Sequence, residues 1–204
     1  MKYFDKIFVI SLPNEVGRKR MEVTGPHLAE QGIDYDLWEA TEDENGVVGL
    51  VKSMRRLFTH CIEQELQTVL VLEDDTIFKV SFWDFIREVW PQMPTNYHCL
   101  FLACTLISRP TRFSANLLRI GSSYCTNAIV YTLEAMKLIL PMLERYQTQA
   151  YDITLMKELQ PSGLCLATYP QMCFQRAGYS SIEKREIDWS EYQSQSFRMY
   201  THNI

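Results

Sequence analysis

The octet TVLVLEDD, Thr68–Asp75, constrains the chain most: an unbroken apolar run leads directly into three carboxylates. An apolar strand of this kind belongs inside a parallel sheet whose two faces are both covered. Ligands of such sheets bind outside the carboxyl ends of the strands, which is where Glu73, Asp74 and Asp75 fall. Adjacent carboxylates at the end of a buried strand repel one another unless something positive offsets them. If the backbone stays extended, Glu73 and Asp75 point one way and Asp74 the other. Two converging carboxylates suit a hard divalent cation such as Mg2+ or Mn2+, whose open positions phosphate oxygens fill. The same residues also suit a solvated turn, because Asp is a turn former. Periodicity leaves both readings open.

Around this octet, strand-like and helix-like segments alternate. Ile7–Ser11 is a short β-branched run stopped by Pro13-Asn14, and Arg18–Gln31 has helical character up to Gly32. Ile33–Ala40 alternates as a strand. From Leu50 to Leu66 the apolar residues recur at three- and four-residue spacing, which predicts an amphipathic helix. Ser81–Trp90 reads as a helix capped by Ser81 and stopped by Pro91. His98–Ala103, Ala128–Tyr131 and Leu164–Tyr169 read as strands. Thr132 caps a helix through Leu143, and another helix starts near Asp152. The tail from Ser180 is polar, with aromatic interruptions and no clear period. This alternation predicts one α/β domain with a largely parallel central sheet covered by helices on both faces.

Composition narrows the function. Of 204 residues, 47% are apolar and 22% charged, which describes an ordered globular domain. A net charge of −5 without a basic run lacks the positive footprint that nucleic acid requires. The six cysteines include no CxxC pair and sit mostly in apolar runs, as buried thiols of a reducing compartment do. No apolar stretch approaches the roughly 20 residues of a membrane span, and the N-terminus lacks a signal-peptide pattern. A P-loop, a GxSxG elbow and a zinc HExxH motif are all absent. Receiver domains carry a further acidic pair after the first strand, where this chain has Leu12-Pro13-Asn14. Sugar-nucleotide or nucleotide chemistry is what remains.

Several segments, in order, resemble glycosyltransferase family 25, the lipooligosaccharide galactosyltransferases and their collagen-modifying relatives. Val9–Met21 is similar to that family's VINLxxxxxR start, with Arg18 or Arg20 as the arginine. Gly46 to Gly49 with Ser53 resembles its G-E-x-G-C-x-x-S-H, and TVLVLEDD its aLILEDD. Thr126–Tyr131 is similar to the T-H-A-Y strand, Tyr151-Asp152-Ile153 to the VDW step, and Pro170 through Gln175 with Ser180 and Ile182 to the closing segment. Val47, Met54 and Asn127 depart from the pattern.

The resemblance implies a single GT-A-like (Rossmann-like) domain over residues 1–204, with a nucleotide-sugar-binding half at 1–105 and an acceptor-side half and tail at 106–204. It implies a metal-dependent, inverting hexosyltransferase using Mn2+ or Mg2+. The donor would be a nucleotide-diphospho-sugar, UDP-galactose or UDP-glucose, and the acceptor a glycan or glycolipid. Asp75 and Glu73 would hold the metal, with Asp74 behind them at the same cofactor site. Asp152 would be the general base, although it also suits a helix cap. Ser11, Leu12 and Pro13 would reach the nucleotide, Arg18 its phosphate, and Lys52 and Ser53 would flank the donor. Trp189 and Tyr192 can stack on a sugar face, Arg109 and Arg112 can meet an anionic acceptor, and His202 is a late candidate metal ligand. Compact domains of this type occur in bacteria and in large viruses that glycosylate their own capsids, so the expected setting is a bacterial or host cytosol. A catalytically silent sugar-nucleotide-binding module and a nucleotidyltransferase are the other classes compatible with the acidic cluster.

Overall fold

The computed structural model describes residues 2–180 and 182–202. The opening apolar run forms β1 (Lys6–Ser11). Asn14 then caps α1 (Glu15–Glu30), its side-chain oxygen accepting from the backbone N–H groups of Val16 and Gly17. That cap starts the helix earlier than the apolar pattern predicts. β2 (Asp36–Glu39) leads to α2 (Gly46–Glu63), which is lengthened in the same way by a cap at Asn45. β3 (Thr68–Glu73), β4 (Thr76–Phe78), α3 (Phe82–Val89) and β5 (Cys99–Phe101) follow. Four short strands, β6 (Thr105–Leu106), β7 (Thr111–Arg112), β8 (Leu117–Arg119) and β9 (Ser123–Tyr124), precede β10 (Ala128–Thr132). Thr132 caps α4 (Leu133–Arg145) as predicted, accepting from Ala135 N. α5 (Tyr151–Thr154) runs on into a π-helical turn at Leu155–Leu159. β11 (Cys165–Thr168), β12 (Cys173–Gln175), the hairpin β13 (Gly178–Ser180) and β14 (Arg185–Ile187), and α6 (Trp189–Thr201) complete the chain.

The central sheet has eight strands in the order β2-β1-β3-β10-β5-β11-β8-β7. Six of them run in one direction, while β10 and β8 run against it. Both faces are covered, and side-chain alternation shows how. Phe8 and Ile10, Val69 and Val71, and Ile129 and Tyr131 face one layer, closed by α2, α4 and α5. Ile7 and Val9, Leu70 and Leu72, and Ala128 and Val130 face the other, closed by α1 and α3. Truncating one of the leucines or isoleucines among them to alanine costs about 2–5 kcal/mol.

Three features gather the functional groups at one end of the sheet. The parallel register sets Ile10 beside Glu73. Antiparallel β10 begins at that same end, so Glu73 N donates to Asn127 O at 2.8 Å. Antiparallel pairing of β12 with β4 sets Gln175 beside Thr76, and Arg176 N donates to Asp75 O at 2.8 Å. The tail therefore returns to the acidic turn. Among the described residues, no helix is long and apolar enough to cross a membrane, and all six cysteines are free thiols.

Candidate functional site

The strand alternation that builds the two core layers continues into the acidic turn and parts its carboxylates. Asp74 follows the Leu70–Leu72 face toward α1. There its Oδ1 meets Arg20 Nη1 at 2.9 Å and its Oδ2 accepts from Ser11 Oγ at 2.7 Å. Thr24 Oγ1 donates to the Asp74 carbonyl at 2.6 Å. Glu73 follows the opposite face, and its Oε1 accepts from Thr126 Oγ1 at 2.9 Å. Asp75 accepts from Gln175 Nε2 at 3.1 Å through Oδ2, while its Oδ1 is buried without a partner.

This arrangement is electrostatically tense. Burial, reinforced by the charge of Asp75, pushes the Glu73 carboxyl up to about 8 against the pull of its Thr126 bond. Burial and the neighbouring Asp74 raise Asp75 to about 6, although Arg20 and Gln175 act the other way. Burial also opposes the charge on Arg20, but Asp74, Asp75 and Glu73 outweigh it and raise its pKa. Two carboxyls whose ionisation is opposed by burial, one of them with an orphaned oxygen, would be relieved by a cation. Among the described residues no group of three or more His, Cys, Asp or Glu side chains is arranged to hold a metal ion. The unpartnered Oδ1 of Asp75 is the one feature among these residues that suits a site in which one or two carboxylates would anchor Mg2+ or Mn2+ and bound phosphate or water would supply the rest.

Two cavities meet at this turn. The first, about 320 Å³, lies between the ends of β1 and β3, the loop 40–46 and the tail. Ser11, Leu12, Glu73, Asp74 and Asp75 all line it, and Arg20, Arg176 and Lys184 supply its positive charge. The Nε of Arg176 is buried without a partner. The second cavity, about 490 Å³, is walled by Tyr124, Thr126, Asp152 and Tyr192, and shares Leu50, Glu73, Gln175, Ser180, Ile182 and Trp189 with the first.

The remaining sequence candidates lie elsewhere. Pro13 is exposed beside the first cavity without lining it, and Arg18 projects to solvent. Arg20 is the arginine that reaches inward, because it shares a helix face with buried Gly17, Thr24 and Leu28. That face can hug the strand end only because residue 17 is glycine; a Cβ there would fall 2.0 Å from Leu12 O. Lys52 pairs with Asp43 at 2.7 Å on the surface. Ser53 is buried, donating to Gly49 O at 2.6 Å and accepting from Thr41 N at 2.7 Å, so it braces the cavity loop without lining the cavity. Asp152 sits in the first turn of α5, with Ala150 at the cap position. Its Oδ1 accepts from Ile153 N at 2.8 Å, and Cys125 N donates to Oδ2 at 3.4 Å. Arg109, Arg112 and His202 line neither cavity; the Arg112 guanidinium lies 4.6 Å over the Tyr169 ring.

Arg176 and Gln193 carry no sequence signal, since neither belongs to a periodic run. Buried on α6, Gln193 accepts from Gln175 N at 3.1 Å and donates to Cys125 Sγ at 2.9 Å and Asn127 Oδ1 at 3.3 Å. It ties the tail helix to both cavities.

No protein-family model matches the chain, and no curated protein matches it in sequence. Solved structures do match in fold. A glycosyltransferase involved in the glycosylation of the major capsid of PBCV-1 is 13% identical, with a TM-score of 0.55 over 93% of this chain and 99% of that one. The A197 protein from STIV is 12% identical, with a TM-score of 0.52 over 89% and 91% of the two chains. A Drosophila galactosyltransferase solved with manganese, UDP-Gal and xylobiose matches at a TM-score of 0.38 and 9% identity over 66% and 52% of the chains, a likeness too slight to carry any inference. The fold is thus a mixed α/β domain with a large, mostly parallel sheet, matching the GT-A-like glycosyltransferase fold.

Proposed function

We propose that this chain is a metal-dependent, inverting glycosyltransferase related to family 25. It would move a hexose from a nucleotide-diphospho-sugar, UDP-galactose or UDP-glucose foremost, to a hydroxyl of a glycan or glycolipid. The carrying observation is that two cavities of contrasting lining meet at Glu73, next to the unpartnered Oδ1 of Asp75. The first has the carboxylates and cations that a diphosphate and its counter-ion need; the second has a carboxylate, Asp152, set among aromatic rings.

In this reading Glu73 and Asp75 hold the cation, and Ser11 and Leu12 meet the nucleotide. Bound Mn2+ or Mg2+ would stabilise the charge that gathers on the leaving diphosphate. The free Nε of Arg176 points to the same role from the protein side. Asp152 takes the proton of the acceptor hydroxyl as its oxygen bonds to the anomeric carbon. The bond from that carbon to the diphosphate oxygen breaks, and its electron pair leaves on the diphosphate. Attack and departure on opposite faces invert the anomeric centre. A cytosolic setting, bacterial or host, completes the proposal.

The bonds from Ile153 N and Cys125 N to Asp152 favour a second reading, in which that carboxylate only organises the backbone and the domain binds sugar nucleotides without turning them over. Incubation with UDP-hexoses, Mn2+ and a panel of glycoside acceptors separates the two. Release of UDP together with a new glycoside supports transfer, whereas tight donor binding with no product supports the silent module.

A further inference from the structure

We infer that the second cavity receives the acceptor and selects a sugar free of anionic groups, seated against the rings of Trp189 and Tyr192. This rests on reading the first cavity as the donor site. Both cavities are lined by more acidic than basic residues, but they differ in whether cations stand among the carboxylates. Arg20, Arg176 and Lys184 stand among the carboxylates of the first, whereas the charged residues lining the second are Glu73, Asp152 and Glu183, with no Lys, Arg or His among its described lining. Arg185, whose Nε lies 4.0 Å from Glu183 Oε2, is exposed and lies outside the lining. With Glu73 engaged by the donor-site cation, an acceptor carrying a carboxylate, phosphate or sulfate would meet Asp152 and Glu183 with no basic side chain of the lining to pair it.

The apolar part of the wall supplies the binding. Trp189 and Tyr192 stand with ring centroids 5.6 Å apart, inclined at 54°. Tyr192 is 59% exposed, so its ring is open to a ligand at the cavity wall. A pyranose presents a face of C–H groups that packs on the negative face of such rings, while its hydroxyls reach the polar atoms of Thr126, Gln175 and Asp152. The cavity volume of about 490 Å³ lies within the roughly 300–1,000 Å³ of ordinary ligand sites.

Matched glycosides test this, namely methyl β-glucoside against methyl β-glucuronide and methyl β-galactoside against methyl β-galacturonide. Each pair differs at C6 alone, a neutral hydroxymethyl group against a carboxylate. Binding is read by saturation-transfer NMR on the full chain with UDP and diamagnetic Mg2+ present. At least one neutral member is expected to bind ten-fold or more tightly than its uronide. Tyr192→Ala should weaken it while leaving the affinity for UDP unchanged, and Glu183→Lys should narrow the gap within the pair. Uronide binding equal to or tighter than that of the neutral partner, or no neutral glycoside bound while UDP is bound, overturns the inference and leaves the donor reading intact. Failure of UDP and UDP-hexoses to bind at all overturns the donor reading and this inference with it.

Discussion

Arg20 Nη1 lies 2.9 Å from Asp74 Oδ1, and this pair turns the middle carboxylate of the acidic turn toward α1 and away from the junction of the two cavities. Asp74 is buried and Arg20 nearly so, and Ser11 completes the set. The turn is thus divided by strand alternation into one structural carboxylate and two that stay available.

Removing one partner of a buried pair strands the other charge, which costs about 3–5 kcal/mol. Asp74→Ala should therefore lower unfolding free energy by roughly that amount in urea titrations, and Asp75→Ala by less, because its Oδ1 has no partner to lose. Equal losses in the two variants would contradict this division.

The pH dependence of stability follows from Glu73 and Asp75. Both are raised by burial, to about 8 and about 6, above their ordinary 4.5 and 3.8. Over that window the folded chain holds protons that the unfolded chain has released, so this contribution is fully present below the ordinary values and is lost as pH rises through the folded ones. Without metal, stability should fall from pH 5 to pH 8, and Glu73→Gln should flatten the slope. Mn2+ should stabilise more at pH 8 than at pH 5, since the cation competes with the protons. A metal effect larger at pH 5 would be against the account.

Asp152→Asn keeps one oxygen, which serves the 2.8 Å bond from Ile153 N, gives up only the longer 3.4 Å bond from Cys125 N, and cannot take a proton. Loss of a general base typically costs about 10²–10⁴ in rate. The expected result is that fall in kcat with donor affinity and melting temperature near wild type. Normal turnover would assign Asp152 to the backbone alone.

Gln193→Leu removes the acceptor for Gln175 N and the donor to Asn127 and Cys125. Unsatisfied buried polar groups cost about 1–3 kcal/mol. The variant should lose stability on that scale, become open to proteolysis around residues 178–190, and show a raised KM for the acceptor. Protease resistance equal to wild type would argue that α6 is held by its apolar contacts.

Much of the architecture is readable without coordinates because strands covered on both faces leave unbroken apolar runs, as at Val69–Leu72, and because α2 repeats its apolar residues at helical spacing. The direction of β10 is not readable: Ala128–Thr132 has the same alternation whichever way it runs, and only the position of its neighbours decides. α6 is equally silent, since one of its two buried residues, Gln193, is polar and erases the stripe. At the site, the acidic turn announces itself by placement at a strand end. The choice between Arg18 and Arg20 depends on helix phase, which the spacing of Gly17, Thr24 and Leu28 resolves in favour of Arg20. Arg176 reaches the cavity through the β4–β12 pairing, a contact across about a hundred residues that no local pattern encodes.

The central claim is that Glu73 and Asp75 bind a cation that helps hold a diphosphate. Calorimetric titration of UDP into the wild-type chain and Asp75→Asn, each with and without Mn2+, tests it most directly. The account predicts that Mn2+ tightens UDP binding at least ten-fold in the wild type and has no effect in Asp75→Asn. A UDP affinity indifferent to Mn2+ in the wild type, or a metal effect of the same size in the variant, would contradict it.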